Sequence, residues 1–156
     1  MSSILYKYVC ASCGYEFKAP GAPEMSYGEF VLRSESGDEA YLEAVTNNTF
    51  NEVSQIVESN PLLEEVSESK SADILQKVFS VACDPAPSGK ALQIGLMPAC
   101  PICSSREMAS WGEVYPTKVV PIPMVKHTLW DRLTASEKRT LVDTEVRKNM
   151  NPRANQ

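Results

Sequence analysis

Two Cys-x-x-Cys pairs, far apart in the sequence, constrain the fold of this chain more than any other feature. The first pair is Cys10 and Cys13, and the second is Cys100 and Cys103. Zinc in structural sites takes four ligands in tetrahedral geometry, and four cysteine thiolates form a complete set. Because one pair supplies only two ligands, we predict that both pairs bind the same metal ion. That ion would join residue 10 to residue 103.

The size and charge of the chain narrow the class of protein. A length of 156 residues with 43% hydrophobic residues fits one domain, or one domain with an insertion, and a real core. The net charge of −5 and the pI near 5.0 argue against a general polyanion binder. The sequence has no run of 18 apolar residues, and its N-terminus lacks the apolar core of a signal peptide. We therefore expect no membrane span and a cytoplasmic location.

The chain has five cysteines, so one is left over after the two pairs. In a reducing compartment such pairs are metal ligands rather than disulfides. The fifth, Cys83, is expected to be a small buried apolar residue. Its neighbour Asp84 has the wrong charge to activate a thiolate.

Residues 6–23 have the pattern of a strand, a knuckle and a returning strand. Gly14 directly after the first pair allows a sharp turn past the metal. The pattern Tyr8-x-Cys10-x-x-Cys13-Gly14-Tyr15-x-Phe17-x-x-Pro20 resembles the first knuckle of rubredoxins and of the wider zinc-ribbon superfamily. Cys100-Pro101-Ile102-Cys103 resembles their second knuckle.

The resemblance covers about 35 of the 156 residues and departs from the family in two respects. Ser104-Ser105 follows the second pair, where the family usually has glycine. The two pairs also enclose 86 residues, a much longer gap than the family has. The resemblance implies the four metal ligands and a local ribbon fold. These departures favour Zn²⁺ over the Fe of the electron carriers.

Residues 24–91 are predicted to form an α+β insertion in the ribbon. Residues 28–33 and 40–45 flank Ser36-Gly37-Asp38, which indicates a β-hairpin. A first helix follows, with a cap offered by Asn47-Asn48-Thr49 and with Thr49 and Glu52 at capping-box spacing. A second is predicted to start near Ser71 or Asp73. The residues expected to be buried on the two helices are Phe50, Val53, Ile56, Ile74, Val78 and Phe79.

The C-terminal third is predicted to return to the ribbon and then to end in a helix. Residues 92–97 read as a strand leading into the second knuckle, and residues 107–115 as the returning strand, with Trp111 available for packing. Thr134 and Glu137 form a second capping box before a helix over residues 135–148. Residues 149–156 are expected to be a mobile polar tail.

The predicted fold class is therefore α+β: zinc-ribbon β-hairpins with a long α+β insertion between the knuckles and a C-terminal helix. Four segments make it up. They are residues 1–23, the first knuckle; residues 24–91, the acidic insertion; residues 92–127, the second knuckle with an extended segment; and residues 128–156, the C-terminal helix and tail.

Charge is concentrated in the predicted insertion. Residues 24–84 contain 13 Asp and Glu against 3 Lys and Arg, a net of −10, and the rest of the chain carries +5. Such a segment can be simply a solvated surface, or it can attract a basic partner protein. On the second interpretation the candidate contact residues are Glu58, Glu64, Glu65 and Glu68.

The sequence offers little support for catalysis. His127 is the only histidine, and it lies in a proline-rich stretch where a surface or packing role is expected. No nucleophile elbow or phosphate-binding glycine loop occurs. Four cysteines would also leave the metal no open position for water. We therefore predict a protein that is not an enzyme.

Three functions remain open at this stage. The first is a zinc-binding interaction protein, such as an adaptor, an inhibitor or an immunity-type protein. The second is a nucleic-acid-associated zinc ribbon, using a basic patch that the net charge disfavours. Its candidate residues are Arg106, Lys118, Lys126, Arg132, Lys138 and Arg139. The third is a rubredoxin-like electron carrier with iron in the Cys₄ site.

Overall fold

The computed structural model describes residues 2–150 and has a mixed α+β fold with two antiparallel sheets. The first sheet contains the strands β1 (Ser2–Cys10), β2 (Glu16–Gly21), β6 (Met108–Glu113) and β7 (Val119–Pro121). The central strand, β1, pairs with β2 on one side. It pairs with β6 and β7 on the other. Cys10 is the last residue of β1, so this sheet directly positions the first knuckle.

Alternation along β1 determines which face of the first sheet is covered. Tyr6 and Tyr8 are buried, whereas Lys7 between them is exposed. Tyr8 pairs with Phe17 of β2, and the two rings stack with their centroids 5.6 Å apart. Aromatic side chains thus line the covered face.

The second sheet lies between the two knuckles in sequence. It consists of β3 (Glu29–Arg33), β4 (Glu39–Glu43) and β5 (Gln93–Ile94), in the order β4-β3-β5. The hairpin predicted around Ser36-Gly37-Asp38 is confirmed. The assignment of residues 92–97 to the ribbon is wrong, because the two residues of β5 pair with Leu32 and Arg33 of β3.

Helices cover the second sheet. They are α1 (Asn48–Glu58), α2 (Glu68–Val78), α3 (Thr128–Asp131) and α4 (Ala135–Met150), with short 3₁₀ turns at Pro61–Leu63 and Phe79–Ala82. The helix α4 packs against both α1 and α2. Residues 151–156 of the predicted tail lie outside the described residues. Asn149 and Met150 belong to the helix.

Local signals determined the helix ends only in part. The second capping box is confirmed: the Glu137 carboxylate accepts a hydrogen bond from the Thr134 N–H at 2.9 Å, and the Thr134 hydroxyl accepts one from the Glu137 N–H at 3.1 Å. The first capping box is wrong, because Thr49 lies inside α1. A cap within residues 47–49 is confirmed, since the Asn47 side chain accepts from the Phe50 N–H at 2.7 Å. The start expected for α2 near Ser71 or Asp73 is also wrong, since its cap is Ser67.

The main hydrophobic core lies between the second sheet and the helices. Of the six side chains predicted to be buried there, Val53, Ile74, Val78 and Phe79 are at most 4% exposed, whereas Phe50 and Ile56 are half-buried. Trp130, Val142 and Val146 from the C-terminal segment complete the same core. The core thus depends on the C-terminal helix as well as on residues 24–91.

Two arginines join the first sheet to the second. Arg33, which is 6% exposed, donates to the Glu39 carboxylate at 3.0 Å and to backbone carbonyls of Pro20 and Leu96. Arg106 donates to the carbonyls of Met97 and Glu35, at 2.5 and 2.9 Å. These bonds hold the metal-binding sheet against the rest of the protein. No helix among residues 2–150 combines the length and the apolar character needed to cross a bilayer.

Candidate metal centre

The four paired cysteines meet at one end of the first sheet. Their Sγ atoms all lie within 4.8 Å of one another. The Sγ atoms of Cys10 and Cys103 are 3.5 Å apart, and those of Cys13 and Cys100 are 3.6 Å apart. Four sulfurs at about 2.3 Å from a tetrahedral ion would be about 3.8 Å from one another. The observed separations therefore fit a single ion of this size.

The two knuckles have the same backbone conformation. In the first, the Cys10 N–H donates to Tyr15 O at 2.9 Å, and the Gly14 N–H donates to Cys10 O at 2.9 Å. In the second, the equivalent bonds join Cys100 to Ser105 and Ser104 to Cys100, each at 2.8 Å. An approximate twofold relation thus links the two halves of the site, although one half begins in β1 and the other precedes β6.

The residue after each cysteine pair adopts a left-handed backbone conformation. Gly14 has φ of 76°, and Ser104 has φ of 66°. A non-glycine residue is uncommon in this region because its Cβ approaches the carbonyl oxygen. Ser104 therefore takes the conformation that glycine has in the first knuckle, and the departure from the zinc-ribbon pattern leaves the turn unchanged.

Backbone N–H groups point at all four sulfurs. Those of Cys13 and Ser12 reach the Cys10 sulfur, and the bond from Cys13 does most to lower the pKa of that thiol to about 6. At Cys100, burial raises the pKa, but the N–H groups of Cys103 and Ile102 outweigh it, and the net shift is downward. Hydrogen bonds to a sulfur favour its thiolate, the form that binds metal.

The other two cysteines have the opposite shift. The Tyr15 N–H lowers the pKa of Cys13, but burial and the neighbouring sulfurs raise it to about 12 overall. For Cys103, the Ser105 N–H lowers the pKa, and the contact with Cys10 contributes to a net rise. Each close pair thus contains one thiol whose pKa is lowered and one whose pKa is raised. Metal binding would displace the proton of any ligand thiol that is not yet ionised.

The two sides of the site differ in their access to solvent. Cys10 and Cys100 are buried, at 1% and 2% exposure, whereas Cys13 and Cys103 are exposed. The hydroxyls of Ser12 and Ser105 meet across the site at 3.0 Å. This contact between knuckles was not predicted, although Ser12 directly precedes Cys13 and Ser105 lies two residues after Cys103 in the sequence.

Cys83 and His127 lie outside this cluster. Cys83 is half-buried against the main core, and burial followed by the charge of Asp84 raises the pKa of its thiol to about 12. The Nδ1 of His127 bonds to Ala82 O at 2.7 Å, and its Nε2 lies 3.1 Å from the Asn47 amide nitrogen. Both residues therefore have packing roles in the fold.

The four glutamates considered as partner contacts lie on the connection between α1 and α2. Glu58 ends α1, Glu64 and Glu65 follow the 3₁₀ turn, and Glu68 begins α2. All four are exposed, and within residues 2–150 no lysine or arginine forms an ion pair with them.

The basic residues considered for nucleic acid are partly engaged elsewhere. Arg106 donates to backbone carbonyls, and Lys138 pairs with Glu52 at 3.0 Å. Trp111, expected to pack, is 57% exposed, whereas Trp130 is 1% exposed.

Comparison of the chain with protein-family models, curated proteins and solved structures finds no match. The site therefore has to be interpreted from its own chemistry. A four-cysteine cluster of this geometry could hold a metal ion and is like that of a zinc ribbon. The sulfur positions fit Zn²⁺ and Fe alike.

Proposed function

We propose that this protein is a non-catalytic interaction protein in which a structural Zn²⁺ fixes the ribbon and the acidic insertion binds a basic partner protein. The observation that carries the proposal is the position of Glu58, Glu64, Glu65 and Glu68, which are exposed, form no ion pair among the described residues and are grouped on one connection. Carboxylates without an internal ion pair remain available for lysine and arginine side chains of another molecule.

The chemistry of the cysteine site supports the structural role of the metal. Four thiolates complete the tetrahedral coordination of Zn²⁺, so no position would remain for a substrate or an activated water. A cytoplasmic location belongs to the same proposal, because free thiolates persist in a reducing compartment.

The test reverses the charge of the four glutamates together. A partner is first identified by cross-linking in cells, and its association with the purified protein is then followed by stopped-flow fluorescence. We expect the change to Lys at all four positions to slow association by about tenfold or more at low salt, because exposed charges steer encounter. The difference should shrink as salt rises, since screening acts over about 8–10 Å.

A matched control places a lysine at Glu107, which is exposed beside the second knuckle. This variant should associate at the wild-type rate. Equal rates for the fourfold variant and the wild type would contradict the proposal, as would substrate turnover that depends on a residue of the protein.

A second candidate, an iron electron carrier, is favoured by one observation. Backbone N–H groups reach each sulfur, and Cys13 and Cys103 are exposed. Hydrogen bonds to sulfur and solvent exposure are what tune the potential of iron–thiolate sites. Elemental analysis of protein purified from its own cells decides between the two, because only iron would support this function.

A further inference from the structure

A groove runs between α1 and α2 on the insertion. Two adjoining hollows, of about 420 Å³ and about 530 Å³, share the residues Tyr27, Ala72 and Leu75 in their walls. The first continues to Phe50 on α1 and to Val45 after β4, and the second continues to Val57 and Val66.

The first hollow is lined by uncharged and mostly apolar side chains. Its walls include Phe30, Ala44, Val45 and Phe50, and its polar members are Asn51 and Gln76. Val45 is 55% exposed, and Tyr27 at the shared wall is 90% exposed. Large apolar side chains grouped at one exposed groove are typical of binding surfaces.

The second hollow is lined by acidic side chains as well as apolar ones. Glu58 and Glu68 lie in its wall, at the end of α1 and the start of α2. Glu64 and Glu65 lie on the connection between them. No lysine or arginine of residues 2–150 lines either hollow. The groove is therefore apolar at one end and acidic at the other.

We propose that this groove binds an amphipathic helix of the partner protein, with the helix's apolar face on Leu75 and Phe50 and its lysines or arginines against Glu58 and Glu68. The inference rests on the proposed function and deepens it by naming the chemistry of the contact. The walls consist largely of helix side chains, so a helix docking by its side chains suits them. Apolar anchors spaced at i, i+3, i+4 and i+7 would contact the floor, and basic residues beside them would reach the two carboxylates.

The first test uses a synthetic peptide of about 18 residues, with leucines at helical spacing and lysines elsewhere, which forms about five turns. A peptide with glutamate in place of lysine and a scrambled leucine–lysine peptide are the controls. Binding to the full chain is measured by fluorescence anisotropy, and the contact surface is mapped by backbone amide shifts in NMR. We expect saturable binding of the first peptide only, with the largest shifts at residues that line the groove.

The second test fills the groove without changing charge. Ala72 is exposed and lies in the shared wall, whereas Ser69 is exposed on the same helix but lines neither hollow. We expect Ala72→Trp to weaken peptide binding by about tenfold or more, the scale of a blocked interface hot spot. Ser69→Trp should bind like the wild type. Far-UV circular dichroism and thermal unfolding establish that both variants are folded.

Several results would contradict the proposal that the groove binds a helix. They are equal binding of the glutamate peptide, equal binding by Ala72→Trp, and amide shifts centred outside the groove in the wild-type protein. Concentration-dependent dimerisation that Ala72→Trp abolishes would assign the surface to a second copy of the chain instead. Suppose that Ala72→Trp keeps wild-type affinity for the cross-linked partner while the glutamate reversals slow its association. In that case the proposal of helix binding in the groove is wrong and the proposed function stands. Peptide binding in the groove together with reversals that do not affect the natural partner would contradict the proposed function alone.

Discussion

Ser104 stands in the second knuckle at the position that Gly14 has in the first. Its φ of 66° matches the φ of 76° at Gly14. A residue with a Cβ costs about 1–2 kcal/mol in this left-handed region. Replacement by glycine removes that cost but adds about 0.5–1 kcal/mol, because glycine loses more conformational entropy on folding. The second knuckle therefore contains a residue in a strained backbone conformation.

We predict that Ser104→Gly stabilises the metal-loaded protein by up to about 1 kcal/mol, because the strain is relieved. The converse change, Gly14→Ala, should destabilise it by about 1 kcal/mol. No atom lies within 4 Å of a Cβ added at Gly14, so its effect would come from the backbone alone. Urea unfolding of both variants measures the difference. Destabilisation by Ser104→Gly would show that the serine side chain contributes more than its backbone costs.

Cys83 is expected to be unreactive in the folded protein. Burial and the charge of Asp84 raise the pKa of its thiol to about 12, against about 8.5 in an unfolded chain. Its contribution to stability is therefore constant below about pH 8.5. Above that pH the unfolded state alone ionises, so stability falls as pH rises towards 12.

We predict that iodoacetamide at pH 8.5 labels Cys83 about a thousandfold more slowly in the folded protein than in urea, because the reagent attacks the thiolate. Peptide mass spectrometry after timed quenching measures the rate. In parallel, Cys83→Ala should unfold with a shallower loss of stability at alkaline pH than the wild type. Rapid labelling of the folded protein would mean that the thiol is more open to the reagent than its partial burial and its hydrogen bond to the Phe79 carbonyl indicate.

At the scale of elements, α1 and the C-terminal segment are joined through Glu52. Its carboxylate accepts a hydrogen bond from the buried Trp130 indole at 2.5 Å and pairs with Lys138 of α4 at 3.0 Å. The Lys138 ammonium also lies 5.3 Å from the centre of the Trp130 ring. The side chain that the sequence pattern assigned to a helix cap thus connects α1 to both α3 and α4 instead.

We predict that Glu52→Ala destabilises the protein by about 1–3 kcal/mol, since it leaves the buried indole N–H without its acceptor. Glu52→Gln keeps an acceptor and loses an ion pair that is partly in solvent, so its cost should be about 0.5 kcal/mol. Chemical denaturation compares the two. Glu145→Gln, which removes the exposed pair with Lys148 on α4, is the control and should change stability little. Equal losses for the two Glu52 variants would assign the effect to charge and not to the indole bond.

At the scale of the whole molecule, the metal site and the main core occupy different parts of the fold. The four ligand cysteines meet at one end of the first sheet, and none belongs to the core formed by the second sheet and the helices. Arg33 and Arg106 supply hydrogen bonds that join the two parts. Metal binding should therefore be coupled mainly to the folding of the first sheet.

We predict that removing the metal with a chelator, or changing Cys13 to Ser, lowers amide protection in β1, β2 and β6 while most of the helical circular dichroism remains. Hydrogen exchange followed by mass spectrometry locates the change. Cys83→Ser should leave the metal content as in the wild type. Complete loss of the helical signal without metal would show that the core cannot form unless the first sheet is in place.

The sequence by itself determined the parts of this protein that depend on local pattern. The spacing of the cysteines predicted the cluster that the structure brings together, and glycine and capping residues predicted the hairpin of β3 and β4 and the start of α4. Hydrophobic spacing likewise identified the core-facing residues of both helices of the insertion. Each cysteine pair, turn and cap is recognised within a few residues. The two distant pairs were joined by the rule that a structural metal site takes four ligands.

Only the tertiary structure decided how these parts meet. The pairing of β5 with β3, the use of Glu52 by Trp130, and the groove between α1 and α2 each join residues that are distant in the sequence. The left-handed conformation of Ser104 was likewise not predictable from the sequence, because serine has no intrinsic preference for that conformation. Such features follow from packing among segments, where burial and satisfied hydrogen bonds outweigh local preference, and a single sequence pattern does not record which segments will be neighbours.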